Sequence, residues 1–314
     1  MQKVNPQPDQ TDQTGEDTEY VLTRGDIYLR VAPFGATVRG LWRGSGDVII
    51  HSYTGSAGNI GSQGDVLMPF PSRIPGGVYT FGGETHQLST VGGTRSHDMH
   101  GFLRSTLWVT AAITEEAVTF AVTVGETDFP GYPFALRVEV TYALTDNGLR
   151  CDFRVENTGT RDAPFGAGFH PYFSVGSESI DGDLLQIPFD QTISGGVVSD
   201  VVDTVWDFRT ATPVGVRPCD AVFTGPVRDP DGRARVRFSR PDGSRAVTVW
   251  MDETFGYLVL FSGDSLPPVY RRRTLAIEPW TCAPNAFNYP ERGLTVLAPG
   301  AGFSGAWGVD CELP

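Results

Sequence analysis

The chain has 314 residues, with 24 Lys and Arg against 37 Asp and Glu and a net charge of -13. So negative a surface repels phosphate backbones and anionic lipid, which argues against a nucleic-acid or membrane partner. No apolar run approaches the roughly 20 residues that cross a bilayer, and the N-terminus lacks the basic, apolar, small-residue order of a secretory signal, so a cytoplasmic protein is expected.

Residues 1–18 are rich in Gln, Asp, Pro and Thr and nearly free of large apolar side chains, which predicts a disordered tail. The remainder, 19–314, is expected to form one domain, since β-sandwiches and barrels reach this size as single units. Val118, Phe120, Val122 and Val124 alternate with period two, as do Leu136, Val138, Val140 and Tyr142; each set predicts a half-buried strand. Asp146-Asn147-Gly148 then separates the second run from Leu149, Cys151, Phe153 and Val155, a hairpin signal. Pro230-Asp231-Gly232 and Pro241-Asp242-Gly243 bracket a further short strand through Val236 and Phe238. Frequent turns, with 38 Gly and 23 Pro, and no long segment of helical period predict an antiparallel all-β fold. Cys151, Cys219, Cys282 and Cys311 form no Cys-x-x-Cys pair, so no zinc knuckle or redox motif is signalled. Cys151 reads as a reduced core thiol and Cys282 as a small packing residue.

Four segments carry chemistry. They are Pro69-Phe70-Pro71-Ser72-Arg73-Ile74-Pro75-Gly76-Gly77, His97-Asp98-Met99-His100-Gly101-Phe102, Gly168-Phe169-His170-Pro171-Tyr172-Phe173, and the run Leu275 to Asn288. In the last, an apolar strand delivers one acid, Glu278, to its end, before Pro279 and Trp280. Burial disfavours the charged form and lifts a carboxyl from about 4.3 toward neutrality, the range that suits a base acting on a weakly acidic hydroxyl. A solvent-facing strand-end Glu is the alternative from that segment alone. His170 precedes Pro171, which favours extended backbone; a core histidine bonded to backbone is the alternative. His97, His100 and His170 also raise the question of a metal. Their spacing in a Gly-flanked loop completes no ligand set, so no metal and no cofactor is expected.

In this order and spacing the four segments resemble the aldose 1-epimerase (galactose mutarotase) family, from roughly Arg24 to the end, together with Phe129-Pro130-Gly131-Tyr132-Pro133-Phe134 and Ala298-Pro299-Gly300. Ser72 stands where that family usually has Asn, and Trp280 where Met is common. The resemblance implies a large antiparallel β-sandwich with an open sugar-binding cleft on one sheet. It also implies Glu278 as general base, His170 as the acid for the ring oxygen, and His100, Arg73 and Asp220 as sugar-binding residues. Asp203 and Asp207 are nearby alternatives for Asp220, and His97 is expected at the surface. Trp280, Phe102 and Phe223 are candidate apolar walls for a sugar face. The reaction implied is the interconversion of α and β anomers of a free aldose such as galactose or glucose, by a monomer or homodimer.

Two readings from other classes stand beside this one: a non-catalytic sugar sensor, and a glycosidase built on Asp220 and Glu278. Within the fold, a hexose 6-phosphate is the nearest alternative substrate and would need cations one sugar length from Glu278. Of Arg271-Arg272-Arg273, Arg272 shares the face of Glu278 on an extended strand but lies about 20 Å away at roughly 3.3 Å per residue. Arg95 and Arg104 flank the His100 loop, and a free sugar is the expectation.

Overall fold

Alternating sequence runs become ladders whose apolar faces must cover one another, and here two large sheets do so. The computed structural model describes residue 15 and residues 17–44, 47–51, 53–89 and 96–312. Among these the first sheet has 12 strands. It runs Tyr20–Arg24, Ile27–Ala32, Thr37–Arg43, Asp47–Ile50, Tyr172–Phe173, Leu275–Trp280, Tyr257–Phe261, Asp220–Pro226, Phe189–Ser194, Val197–Asp200, with Gly168–Phe169 and Val66–Leu67 joined beside Leu275–Trp280. The second has nine strands, in the order Thr212–Pro213, Leu184–Gln186, Ala234–Ser239, Ala246–Met251, Gly302–Glu312, Gly148–Asn157, Leu136–Leu144, Ala117–Val124, Val109–Ile113. This is the antiparallel all-β fold that the alternation and the turns predict, in the sandwich form that the family resemblance implies.

Register shows why the alternation forms a core. Across the hairpin at Asp146-Asn147-Gly148, Val138 faces Val155, Val140 faces Phe153 and Tyr142 faces Cys151. On the other side Val138 faces Val122 and Val140 faces Phe120. These side chains are buried in one cluster with Phe169, Phe173, Phe223, Leu258, Leu260, Leu275 and Ile277 of the first sheet. Removing a large side chain there costs about 3–5 kcal/mol. The Ala234–Ser239 strand carries Val236 and Phe238 into the same cluster. Cys151, Cys219, Cys282 and Cys311 are free and buried. Of the expected tail, residues 15, 17 and 18 are among those described, in a turn where Thr18 N–H donates to Gly15 O at 3.1 Å. The rest of 1–18, and Arg95, lie outside the described residues.

Connections within 53–89 and 96–106 meet the outer face of the first sheet, where Tyr172 Oη donates to Gly61 O at 2.6 Å, and they use left-handed backbone at Ser62, Ser72, His100 and Gly101. Gly101 has φ +67, and a Cβ there would meet Met68 O at 2.1 Å. Its closeness lets the N–H groups of Phe102 and Leu103 both donate to Met68 O, at 3.2 and 3.1 Å. Gly101→Ala must break this contact and adopt a left-handed φ disfavoured for side chains. We expect a loss of about 3 kcal/mol or more in denaturant unfolding; an unchanged midpoint would contradict the docking of this loop.

Candidate active site

The Leu275–Trp280 strand is buried at every position, so it is covered on both faces. Leu275 and Ile277 enter the inter-sheet core, while Ala276, Glu278 and Trp280 point the other way. Register then builds the site. Gly168 faces Trp280 and Tyr172 faces Ala276, so His170 lies opposite Glu278 on the same face. Pro171 has no N–H and interrupts the ladder between the two short flanking strands. The break is held from the far side, where His170 N–H donates to Asp65 O at 3.1 Å and Gly64 N–H donates to His170 O at 2.9 Å.

On the other flank Glu278 faces Val259 and Val259 faces Val222, while Ala276 faces Phe261 and Phe261 faces Asp220. Asp220 thus belongs to the sheet face that carries Glu278, at an exposed position. The alternatives do not: Asp207 is held by Arg209 at 2.8 Å, and Asp203 sits in a left-handed turn.

The central contact is His170 Nε2 to Glu278 Oε1, 3.3 Å, between side chains 7% and 2% exposed. Trp280 Nε1 donates to the other oxygen, Oε2, at 3.2 Å. The His170 ring stacks on Tyr172, centroids 5.0 Å apart, and lies edge-on to His100 at 5.6 Å. His100 has φ 61, and its backbone is paired with Ser72: His100 N–H donates to Ser72 O at 2.7 Å. Ser72 N–H in turn donates to His100 Nδ1 at 3.0 Å, so a neutral His100 carries its proton on Nε2. The contact uses the Ser72 backbone, so the replacement of Asn by Ser at this place leaves it intact. Arg73, half exposed at the rim, is anchored by Asp98 Oδ2 at 3.1 Å.

Asp98 is the neighbour of the candidate site that the sequence left unassigned. It is 5% exposed and is an unassigned acid within the His100 segment. That was the available signal, but nothing in the sequence paired it with Arg73. Other expectations are corrected. Phe102 is in the core, stacked on Phe129 at 3.9 Å, and Phe223 faces Leu258 on the inner side of the sheet, so neither walls the cleft. His97 is half-buried rather than on the surface, its ring against Phe102 and Phe129, because the loop folds inward. Trp280 is in the site, and its polar edge serves the carboxylate.

Among the described residues, two of the cations considered for a phosphate have other partners. Arg104 is buried and donates to Ser62 Oγ at 2.9 Å and Asp65 Oδ2 at 3.4 Å, beneath His170. Arg272 precedes the strand with φ 53 and is held by Asp181 and, at 3.0 Å, by Asp264.

Burial pushes the Glu278 carboxyl well above the usual carboxylate range, the Asp220 charge adds to the rise, and the Trp280 hydrogen bond opposes it. Burial also lowers His170, to about 3. Asp220 itself is raised by partial desolvation. Both shifts favour a neutral carboxyl beside a neutral imidazole. A proton donor and a proton acceptor held at this distance can exchange a proton with a hydroxyl bound against them.

The two shifts have opposite consequences for stability. With its folded pKa raised, Glu278 contributes fully below its unfolded value and loses that contribution as pH rises through the folded one. His170, depressed to about 3, contributes fully above its unfolded value and loses that contribution as pH falls toward the folded one. We expect the melting temperature of Glu278→Gln relative to the parent to rise as pH increases above about 5. A flat or falling difference in thermal scans would show that the carboxyl is not desolvated.

Comparison with known proteins bears on the whole arrangement. The aldose 1-epimerase family model matches residues 18–306. The chain is similar to the Escherichia coli K12 protein YihR, 28% identical over 275 residues that cover 85% of each chain. It is also similar to galactose mutarotase of Sus scrofa, 24% identical over 268 residues, 76% of this chain and 75% of that one. Among solved structures, the GalM/aldose epimerase homologue of C. elegans superimposes with a TM-score of 0.82 at 18% identity, covering 94% of this chain and 98% of that one, which speaks for the fold. With a family match that spans nearly the entire length, on a sandwich of the same form, the chain belongs to the aldose 1-epimerase family.

Proposed function

We propose that this protein is an aldose 1-epimerase that interconverts the α and β anomers of a free aldohexose such as galactose or glucose. The observation that carries the reading is the buried Glu278–His170 contact of 3.3 Å at the floor of the cleft. Proton transfer from the carboxyl to His170 Nε2 gives a carboxylate and an imidazolium, and sugar hydroxyls donating to Glu278 favour that charged form. Glu278 then takes the proton of the C1 hydroxyl while His170 protonates the ring oxygen, and the C1–O5 bond breaks to give the open-chain aldehyde. Rotation about C1–C2 presents the other carbonyl face, and closure reverses both transfers. Atoms and charge balance without any further reactant. Each positioned proton transfer is worth about 10² to 10⁴ in rate.

Arg73 and Asp220 bind vicinal hydroxyls in this reading, since a guanidinium and a carboxylate can each engage two, and His100 Nε2–H is a donor beside the ring oxygen. An unphosphorylated substrate is supported by Arg104 and Arg272 being bound to protein carboxylates. The same reading makes a small sugar the partner of a cytoplasmic enzyme. A sensor that only binds sugar has no use for the retained acid–base pair, and a glycosidase has none for two histidines beside its carboxylates.

Polarimetry from pure α-galactose and α-glucose is expected to show equilibration faster than buffer alone, unchanged after chelator treatment; only the buffer rate with every aldose tried would refute an enzyme. Glucose 6-phosphate should not exceed the free sugars in kcat/KM by as much as about tenfold.

Glu278→Gln and His170→Asn should each lower kcat by at least about 10², as each removes one obligatory transfer. Arg73→Ala and Asp220→Ala should act mainly through KM. Near-normal turnover in Glu278→Gln would mean that the base is another residue.

A further inference from the structure

A carboxylate has two oxygens, and the geometry treats those of Glu278 differently. Oε1 is 3.3 Å from His170 Nε2, whose proton the reaction sends to the ring oxygen. Oε2 is 3.2 Å from Trp280 Nε1, an indole N–H that can only donate and never ionises. Trp280 is two residues along the same strand and is 3% exposed. Its indole is clamped: a Cβ added at Gly168 would lie 2.8 Å from Trp280 Cδ1 and 2.9 Å from Pro71 Cβ, so the absence of a side chain at Gly168 makes the room that the ring occupies. The His100 ring lies edge-on to the indole, ring centroids 6.1 Å apart. Leu67 and Val259 complete the packing.

We propose that Trp280 is a positioning residue for the general base: its N–H fixes Oε2 of Glu278 so that Oε1 is the oxygen that takes the anomeric proton, an inference that rests on the mutarotase reading above. When sugar enters, the His170 hydrogen bond passes from Oε1 to the ring oxygen, and Oε1 becomes the unencumbered base. Trp280 is the donor that persists through both proton transfers. It keeps the carboxylate plane from turning, and it stabilises the ionised form on which catalysis depends. Gly168 has a second role in this scheme, as the seat of the indole.

Trp280→Phe keeps the aromatic packing and removes the donor. The expected result is a fall in kcat of about tenfold with KM within about twofold, and an alkaline limb of kcat/KM, where the pair loses its proton, displaced to higher pH by about half a unit or more. Gly168→Ala, which displaces the ring instead of removing its N–H, should move the limb the same way. A residue that merely packs would leave the limb in place, and an unmoved limb in both variants overturns the proposal. A readout independent of activity separates this from the functional reading. In the ligand-free protein, the part of the tryptophan emission that Trp280→Phe removes should change in one step as pH rises, and the step should vanish in Glu278→Gln. Its presence in a protein without mutarotase activity would sustain the Trp280–Glu278 link while refuting the enzyme, and its persistence in Glu278→Gln would overturn the link.

Discussion

A carboxylate with 1% exposure sits near the middle of a sheet whose strand is covered on both faces, and the remaining architecture of the cleft can be understood as what makes that placement tolerable. An unpaired buried carboxylate would cost several kcal/mol. Here His170 and Trp280 each approach one of its oxygens, and Asp220 on the same sheet face pushes the carboxyl toward neutrality. The compromise leaves a group that is neither a surface acid nor a silent core residue. Such a group responds to whatever polar molecule is laid against it.

The partners reach Glu278 by two routes. His170 arrives through the register of its flanking strands, on a grid of roughly 4.8 Å between strands, and Trp280 along the strand of Glu278 itself. His100 and Arg73 arrive through loops that need unusual backbone, with His100 at φ 61 and Ser72 at φ 60. Each loop residue has its own restraint, Ser72 for the His100 ring and Asp98 for Arg73. Arg104 and Asp65 form a buried pair under His170, and Asp65 also accepts the His170 N–H. In the proposed reaction the groups placed by strand pairing carry the proton chemistry, and Arg73 and His100 from the loops join Asp220 from the sheet in reading hydroxyls.

Period-two alternation made the antiparallel all-β fold legible, because side chains on strands such as Leu136–Leu144 and Gly148–Asn157 declare their common face directly, while the sandwich form came from the family resemblance. Glu278 and His170 were legible as well, one as a lone acid in an apolar strand and the other through its motif. Alternation gives relative faces only, so Phe223 could not be assigned to the inner side until its pairing with Leu258 was known. The opposition of His170 to Glu278 spans a long stretch of chain and follows from strand pairing, which no local pattern encodes. The pairing of Asp98 with Arg73 depends on a contact between segments and was invisible for the same reason, whereas Trp280 shares the strand of Glu278 and only the rotamer that turns its N–H to the carboxylate was hidden.

In the segment Leu-Ala-Ile-Glu-Pro-Trp, odd and even positions belong to environments of opposite polarity, although all six are buried. A slip of one residue against either neighbour would drive the carboxylate into the hydrocarbon interior and turn Ile277 into the cleft. Misregistered chains are thus penalised twice, and no half-active slipped form is available to them. Turnover in this protein is consequently a measure of correct strand alignment: the active fraction of a refolded sample counts the molecules whose sheet has closed in register.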